Sequence, residues 1–118
     1  VRNWGDNPSP HQAAAIGRIA SHFMTLRRMS LSVAGMLEAG KDVSVEAALV
    51  KELGNNFEKL LPEIARLVVP DLSAVDPDKQ RLFRETFEET LMLSPSFTLR
   101  GGTREIMRGV IARGLGLR

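Results

Sequence analysis

The stretch from Pro10 to Ala39 reads as one uninterrupted helix, and its length constrains everything the rest of the chain can do. Ile16, Ile19, Phe23, Leu26, Ser30, Val33 and Leu37 recur at alternating steps of three and four, the spacing that lines one helical face. A helix of about thirty residues is roughly 45 Å long. A compact globule of 118 residues is only about 35 Å across. The first helix therefore outruns a self-contained sphere. An elongated all-α molecule follows, with an apolar stripe that needs helices from another domain or subunit to cover it.

Three further helices complete the pattern. Gly40 suits a left-handed stop. Ser44 is placed to cap a second helix, with Glu46 in its first turn at the positive end of the dipole. That helix runs toward Val69 with Leu49, Leu53, Phe57, Leu60, Ile64 and Leu67 inward, and Pro62 inside it is expected to kink or split it. After the loop "VVPDLSAVDPDKQ", Asp76 followed by Pro77 signals a third helix to about Met92. Ser94-Pro95 ends it, and "SFTL" reads as extended. Thr103 caps a last helix that stops at Gly114 and Gly116. The reading is an up-down four-helix bundle without strands.

Composition excludes several functions. There is no cysteine, hence no disulfide framework, thiolate metal site or cysteine nucleophile. This fits a reducing compartment, and the cytoplasm is the expected location. Sixteen basic and fourteen acidic residues leave a net charge of only +2, too weak a field to indicate nucleic acid or an anionic membrane. No apolar run reaches the length of a membrane span, and nothing resembles a signal peptide. His11 and His22 are separated by about 16 Å along a helix axis, too far to share a metal. Arg104, Arg108 and Arg118 make a basic strip that reads as a solvated face pairing with acids. The paired Glu88 and Glu89 read as solvated too. The start at Val1 rather than Met points to a piece of a longer polypeptide.

The segment "SPSFTLRGGTREIMRGVIARGLGL" carries more information than its spacing. A helix opening after Gly101-Gly102-Thr103 presents free N–H groups and the positive end of a dipole, and glycine lets a ligand approach the backbone. Taken alone, that is a tight turn and a cap. The whole segment, however, closely resembles the C-terminal signature of the acyl-CoA dehydrogenase family, a "GGT-x-E-I-x-R-x-x-I-A-R-x-x-L-G-L" pattern. Gly101, Gly102, Thr103, Glu105, Ile106, Arg108, Ile111, Ala112, Arg113, Leu115, Gly116 and Leu117 fit it, with one residue rather than two after Arg113. "VSVEAALVKELG" and "LRRMSLSVAGMLEAG" also resemble family segments.

The resemblance implies a C-terminal helical bundle of a three-domain flavoprotein, with residues 1–118 as that single domain. It implies α,β-dehydrogenation of an acyl-CoA thioester, with FAD taking the hydride, an electron-transfer protein as acceptor, and homo- or hetero-oligomers packed through the bundles. Gly102, Thr103 and Glu105 are the implied cofactor contacts, Gly102 by close backbone approach. No catalytic residue is carried over. In one branch of the family the base immediately precedes the Gly-Thr pair, and here that position is Gly101, which has no side chain to accept a proton. The segment after Pro62 lacks the glycine-rich turn that relatives carry, and Arg2 and Trp4 stand where relatives have an arginine–aromatic turn. The fragment alone is expected to be inactive. The alternative is a non-catalytic helical oligomerisation or binding module from a base-less paralogue.

Overall fold

A computed structural model describes residues 7–69, 72–73 and 75–117. Arg2, Trp4 and Arg118 lie outside the described residues. All regular structure among the described residues is helical: α1 (Pro10–Glu38), α2 (Ser44–Leu67), α3 (Pro77–Leu93), a 3₁₀ helix (Ser94–Leu99) and α4 (Arg104–Gly114). No helix among them is long and apolar enough to cross a membrane.

The helix ends follow local chemistry. Ser9 and Gln12 form a reciprocal capping box ahead of Pro10, satisfying two backbone donors at once. Gly40 adopts φ +70°, with Gly40 N–H donating to Leu37 O and Lys41 N–H to Met36 O, each at 3.0 Å. Those two bonds define a Schellman stop. Gly116 repeats it at φ +73°, where Leu117 N–H donates to Ala112 O at 2.8 Å. Asp76 caps α3 through the N–H groups of Asp78 and Lys79.

Three local expectations are corrected. Ser44 is the first residue of α2 rather than its cap: the N-cap position is Val43, without a side-chain cap bond, and both the N–H and the hydroxyl of Ser44 donate to the Asp42 carboxylate just ahead of it. The Ser44 hydroxyl bond, then its N–H, hold that carboxyl below its usual range. Pro62 does not split α2, which runs unbroken through it. "SFTL" is helical rather than extended, because Ser94, Ser96 and Thr98 each donate a hydroxyl to the carbonyl three residues back, at 3.0, 2.7 and 3.1 Å. Such side-chain bonds favour the tight 3₁₀ turn over a strand.

α2 is the hub. The rings of His22 and Phe23 meet Phe57, each at 5.0 Å between centroids, and Met29, Val33 and Met36 lie beside Glu46, Leu49 and Val50, so α1 runs antiparallel to α2. The seam of α1 is rotated from the expected stripe. Ile16, Ile19, Leu26 and Val33 are partly covered as expected, but His22, Met29 and Met36 replace Phe23, Ser30 and Leu37 in it. Phe23 and Leu37 are 57% and 63% exposed. Each exchanged position lies one residue before the expected one, and the side of α1 on which α2 packs decides which of the two neighbouring rows is covered. On α2, Phe57 and Ile64 are buried, whereas Leu53 and Leu67 are exposed.

α4 packs on another side of α2, also antiparallel: Arg104 and Arg108 reach Glu52, and Gly114 lies against Val45. α3 and the 3₁₀ helix cover the C-terminal half of α2, where the stacked rings of Phe83 and Phe87, 5.7 Å apart, border an apolar groove with Leu61, Pro62 and Phe97. α1 has no extensive packing on α3 or α4. The described helices therefore surround α2 without closing a ring about a common core.

Candidate functional site

The Gly101-Gly102-Thr103 turn is built from its two flanks. On the incoming side the Arg100 guanidinium lies 4.6 Å over the Phe97 ring and pairs with Glu58 at 3.1 Å. Gly101 and Gly102 follow at φ +66° and +109°. The first is left-handed, and the second lies outside the region that residues with a Cβ occupy readily. A Cβ on Gly102 would come within 2.7 Å of Met107 Cε, and one on Gly101 within 3.1 Å of Lys51 Nζ. The backbone itself thus requires glycine at both positions.

Thr103 is the N-cap. It has an extended backbone, and its Oγ1 accepts from Ile106 N–H at a long 3.5 Å. Glu105 is exposed in the first turn. Hydrogen bonds from its own backbone N–H and then from the Thr103 hydroxyl hold its carboxyl below the usual carboxylate range, with smaller help from Arg104 and Arg108. The Ile106 N–H of the first turn is therefore taken by the turn's own threonine. Gly102 is half-buried beside it. The three expected contact residues form one continuous, preorganised segment.

Beneath the turn is a group that sequence reading missed. Glu52 of α2 is buried, and its Oε1 accepts from Arg104 Nε at 3.3 Å, Arg108 Nε at 3.2 Å and Asn56 Nδ2 at 3.2 Å. Oε2 and the nearby Asn55 Nδ2 are buried without a hydrogen-bond partner. Arg104 is the first residue of α4, so this carboxylate fixes the start of the helix, and with it the turn, against α2. Arg104 and Arg108 of the expected basic strip do pair with an acid, but the acid is buried rather than part of a solvated face. The available signal was that Ala48, Glu52 and Asn55 sit at i, i+4 and i+7, a second face of α2 beside the Leu49–Leu53–Phe57 face.

Gly101 has no side chain to act as a base, and the side chain nearest to where its Cβ would stand is that of Lys51 rather than an acid. Glu88 and Glu89 are exposed on α3. Among the described residues no cluster of three His, Cys, Asp or Glu side chains is arranged to hold a metal. No protein-family model matches this chain, and no curated protein or solved structure is detectably similar to it.

Proposed function

We propose that this chain is the C-terminal domain of an FAD-dependent acyl-CoA dehydrogenase, an up-down four-helix bundle that packs on helices of neighbouring domains or subunits. In this reading the chain contributes flavin contacts through Gly102, Thr103 and Glu105 together with subunit packing, while the base comes from elsewhere in the polypeptide. The observation that supports it is the turn: two positive-φ glycines and a capping threonine, pinned to α2 by a buried carboxylate. A rigid turn with a bare second member suits close approach of a cofactor. The test is the complete polypeptide purified from its reading frame. It should carry flavin, visible in its absorption spectrum, and oxidise a saturated acyl-CoA with an artificial electron acceptor. Gly101→Glu should change that rate and Gly102→Val should lower flavin content. A colourless polypeptide without turnover overturns the reading.

The second reading is a non-catalytic oligomerisation module. The favouring observation is the apolar surface left open, from Leu31 on α1 to Met92 on α3. Self-association without flavin would select it.

A further inference from the structure

α1 carries a second stripe, on the side turned away from α2, that none of the described helices covers. Gly17, Ala20, Met24, Arg27, Leu31 and Ala34 recur at steps of three and four, and all are exposed. Each lies two residues before a covered seam position, from Ile19 and His22 to Val33 and Met36. Two residues turn an α-helix by about 200°, so the two rows stand on opposite faces. α1 packs extensively on α2 alone, and Met24 and Leu31 remain 62% and 63% exposed. A Cβ at Gly17 would meet no atom within 4 Å. The chain's own packing therefore does not need a glycine there, although glycine weakens a helix interior.

Two large apolar side chains, three small residues and one long stem, repeating every three and a half residues, make the pattern of a helix–helix seam. The row is complementary to itself when run antiparallel. With two copies of α1 centred between Thr25 and Leu26, Leu31 of one copy faces Ala20 of the other. Gly17 then faces Ala34, and Met24 lies along the Arg27 stem, whose guanidinium stays at the wet edge. The charges set the same direction. Glu38 is the only acid on α1, and the first turn has none. In the antiparallel pair each Glu38 stands beside Ala13 of the other copy, at the positive end of its dipole. A parallel pair would set Glu38 against Glu38 and Arg27 against Arg27. The exposed surface is 8678 Å², against about 6,300 Å² for a compact monomer of this mass. That leaves more than the roughly 800 Å² a standard interface takes from each partner. We propose that this face of α1 is a docking surface for a second copy of the chain, paired antiparallel through α1 across a twofold axis. The pairing gives the packing role its face and its partner. It stands apart from the flavin contacts, on which flavin content reports separately.

The chain has no cysteine, so a nitroxide label attaches cleanly to one introduced thiol. The experiment combines sedimentation of the chain with pulsed electron-spin distances in its His11→Cys variant. A dimer is expected, with the two labelled positions separated by about 43 Å of helix rise. A parallel pair would hold them about 10 Å apart. Met24→Glu and Leu31→Glu should each weaken association at least about tenfold, because a carboxylate buried in an apolar seam is costly, with the helical circular dichroism signal unchanged. Met92→Glu removes an open apolar side chain on α3 and should leave the dimer as it is. A strict monomer over a hundredfold concentration range overturns the proposal, and so do labels held close together. Association that survives both α1 variants, or that Met92→Glu weakens equally, overturns it as well.

Discussion

At the scale of single residues, the turn before α4 depends on two side chains that serve each other. The Thr103 oxygen accepts from Ile106 N–H while its hydroxyl donates to Glu105. Thr103→Ala should destabilise the fold by about 1 kcal/mol, the common cost of a lost threonine cap, as read by urea unfolding. It should also raise the Glu105 titration midpoint in a ¹³C-detected pH series, though not fully, because the bond from its own N–H remains and is the larger cause. The sign of the pH effect follows. A carboxyl lowered in the folded state adds stability that is complete above its unfolded pKa and is lost as pH falls through the folded value. An unchanged midpoint in the variant would show that the hydroxyl does not hold the carboxylate. Glu52 acts on the same turn from below. Glu52→Gln should cost about 1–2 kcal/mol by weakening two charge-assisted bonds. Arg104 carries most of that, because the Arg108 side chain is 63% exposed and its pairing is screened. Unchanged urea stability would make the cluster incidental.

At the scale of elements, the α2–α4 contact depends on Gly114. A Cβ there would lie 2.0 Å from Val45 Cγ2 and 3.3 Å from Val45 Cβ. Gly114→Ala gains about 1 kcal/mol of helix propensity but overpacks a tight crossing, which typically costs about 1–3 kcal/mol. Net destabilisation is expected, and Val45→Ala should rescue it in a double-mutant cycle. Additive effects would mean the helices part without strain. Sequence reading took Gly114 as a stop signal, since a chain pattern shows where a helix ends but not what its last turn touches. The same limit explains the other differences. Apolar periodicity located α1 and α2, and cap and stop residues located α3 and α4, because both signals are local properties of the chain. Periodicity placed Phe23 and Leu37 in the α1 seam because the row beside them is equally apolar, and only the position of α2 decides between the two. The 3₁₀ segment was missed because its hydroxyl-to-carbonyl bonds compete with extended backbone through geometry that residue type alone leaves open. Gly101, Gly102 and Thr103 were legible as a turn and cap, while the carboxylate beneath them was not, since Glu52 lies about fifty residues from its arginines.

At the scale of the whole molecule, shape and surface point to association. The radius of gyration is 18.0 Å and the extents are 54 × 28 × 24 Å, whereas a compact chain of this length has a radius of about 13–14 Å. The surface exposed is 8678 Å², against about 6,300 Å² for a folded monomer of this size. The excess of about 2,400 Å² exceeds the roughly 800 Å² per partner of a standard interface. Much of what lies open is apolar: Met24 and Leu31 on α1, Leu82 and Met92 on α3, the last 82% exposed. Contiguous apolar surface can be covered by other protein, and self-association is the case that sedimentation tests. The expected outcome is reversible self-association of the isolated chain, seen by sedimentation as a mass that rises with concentration. Leu31→Glu and Met92→Glu each remove one exposed apolar side chain without touching the α2 contacts. At least one should shift the equilibrium toward monomer while leaving the helical signal intact, since burying an unpaired carboxylate in an interface is strongly unfavourable. A strict monomer over a hundredfold concentration range would show that the open surface is tolerated by water, and the packing half of the proposed function would then fail.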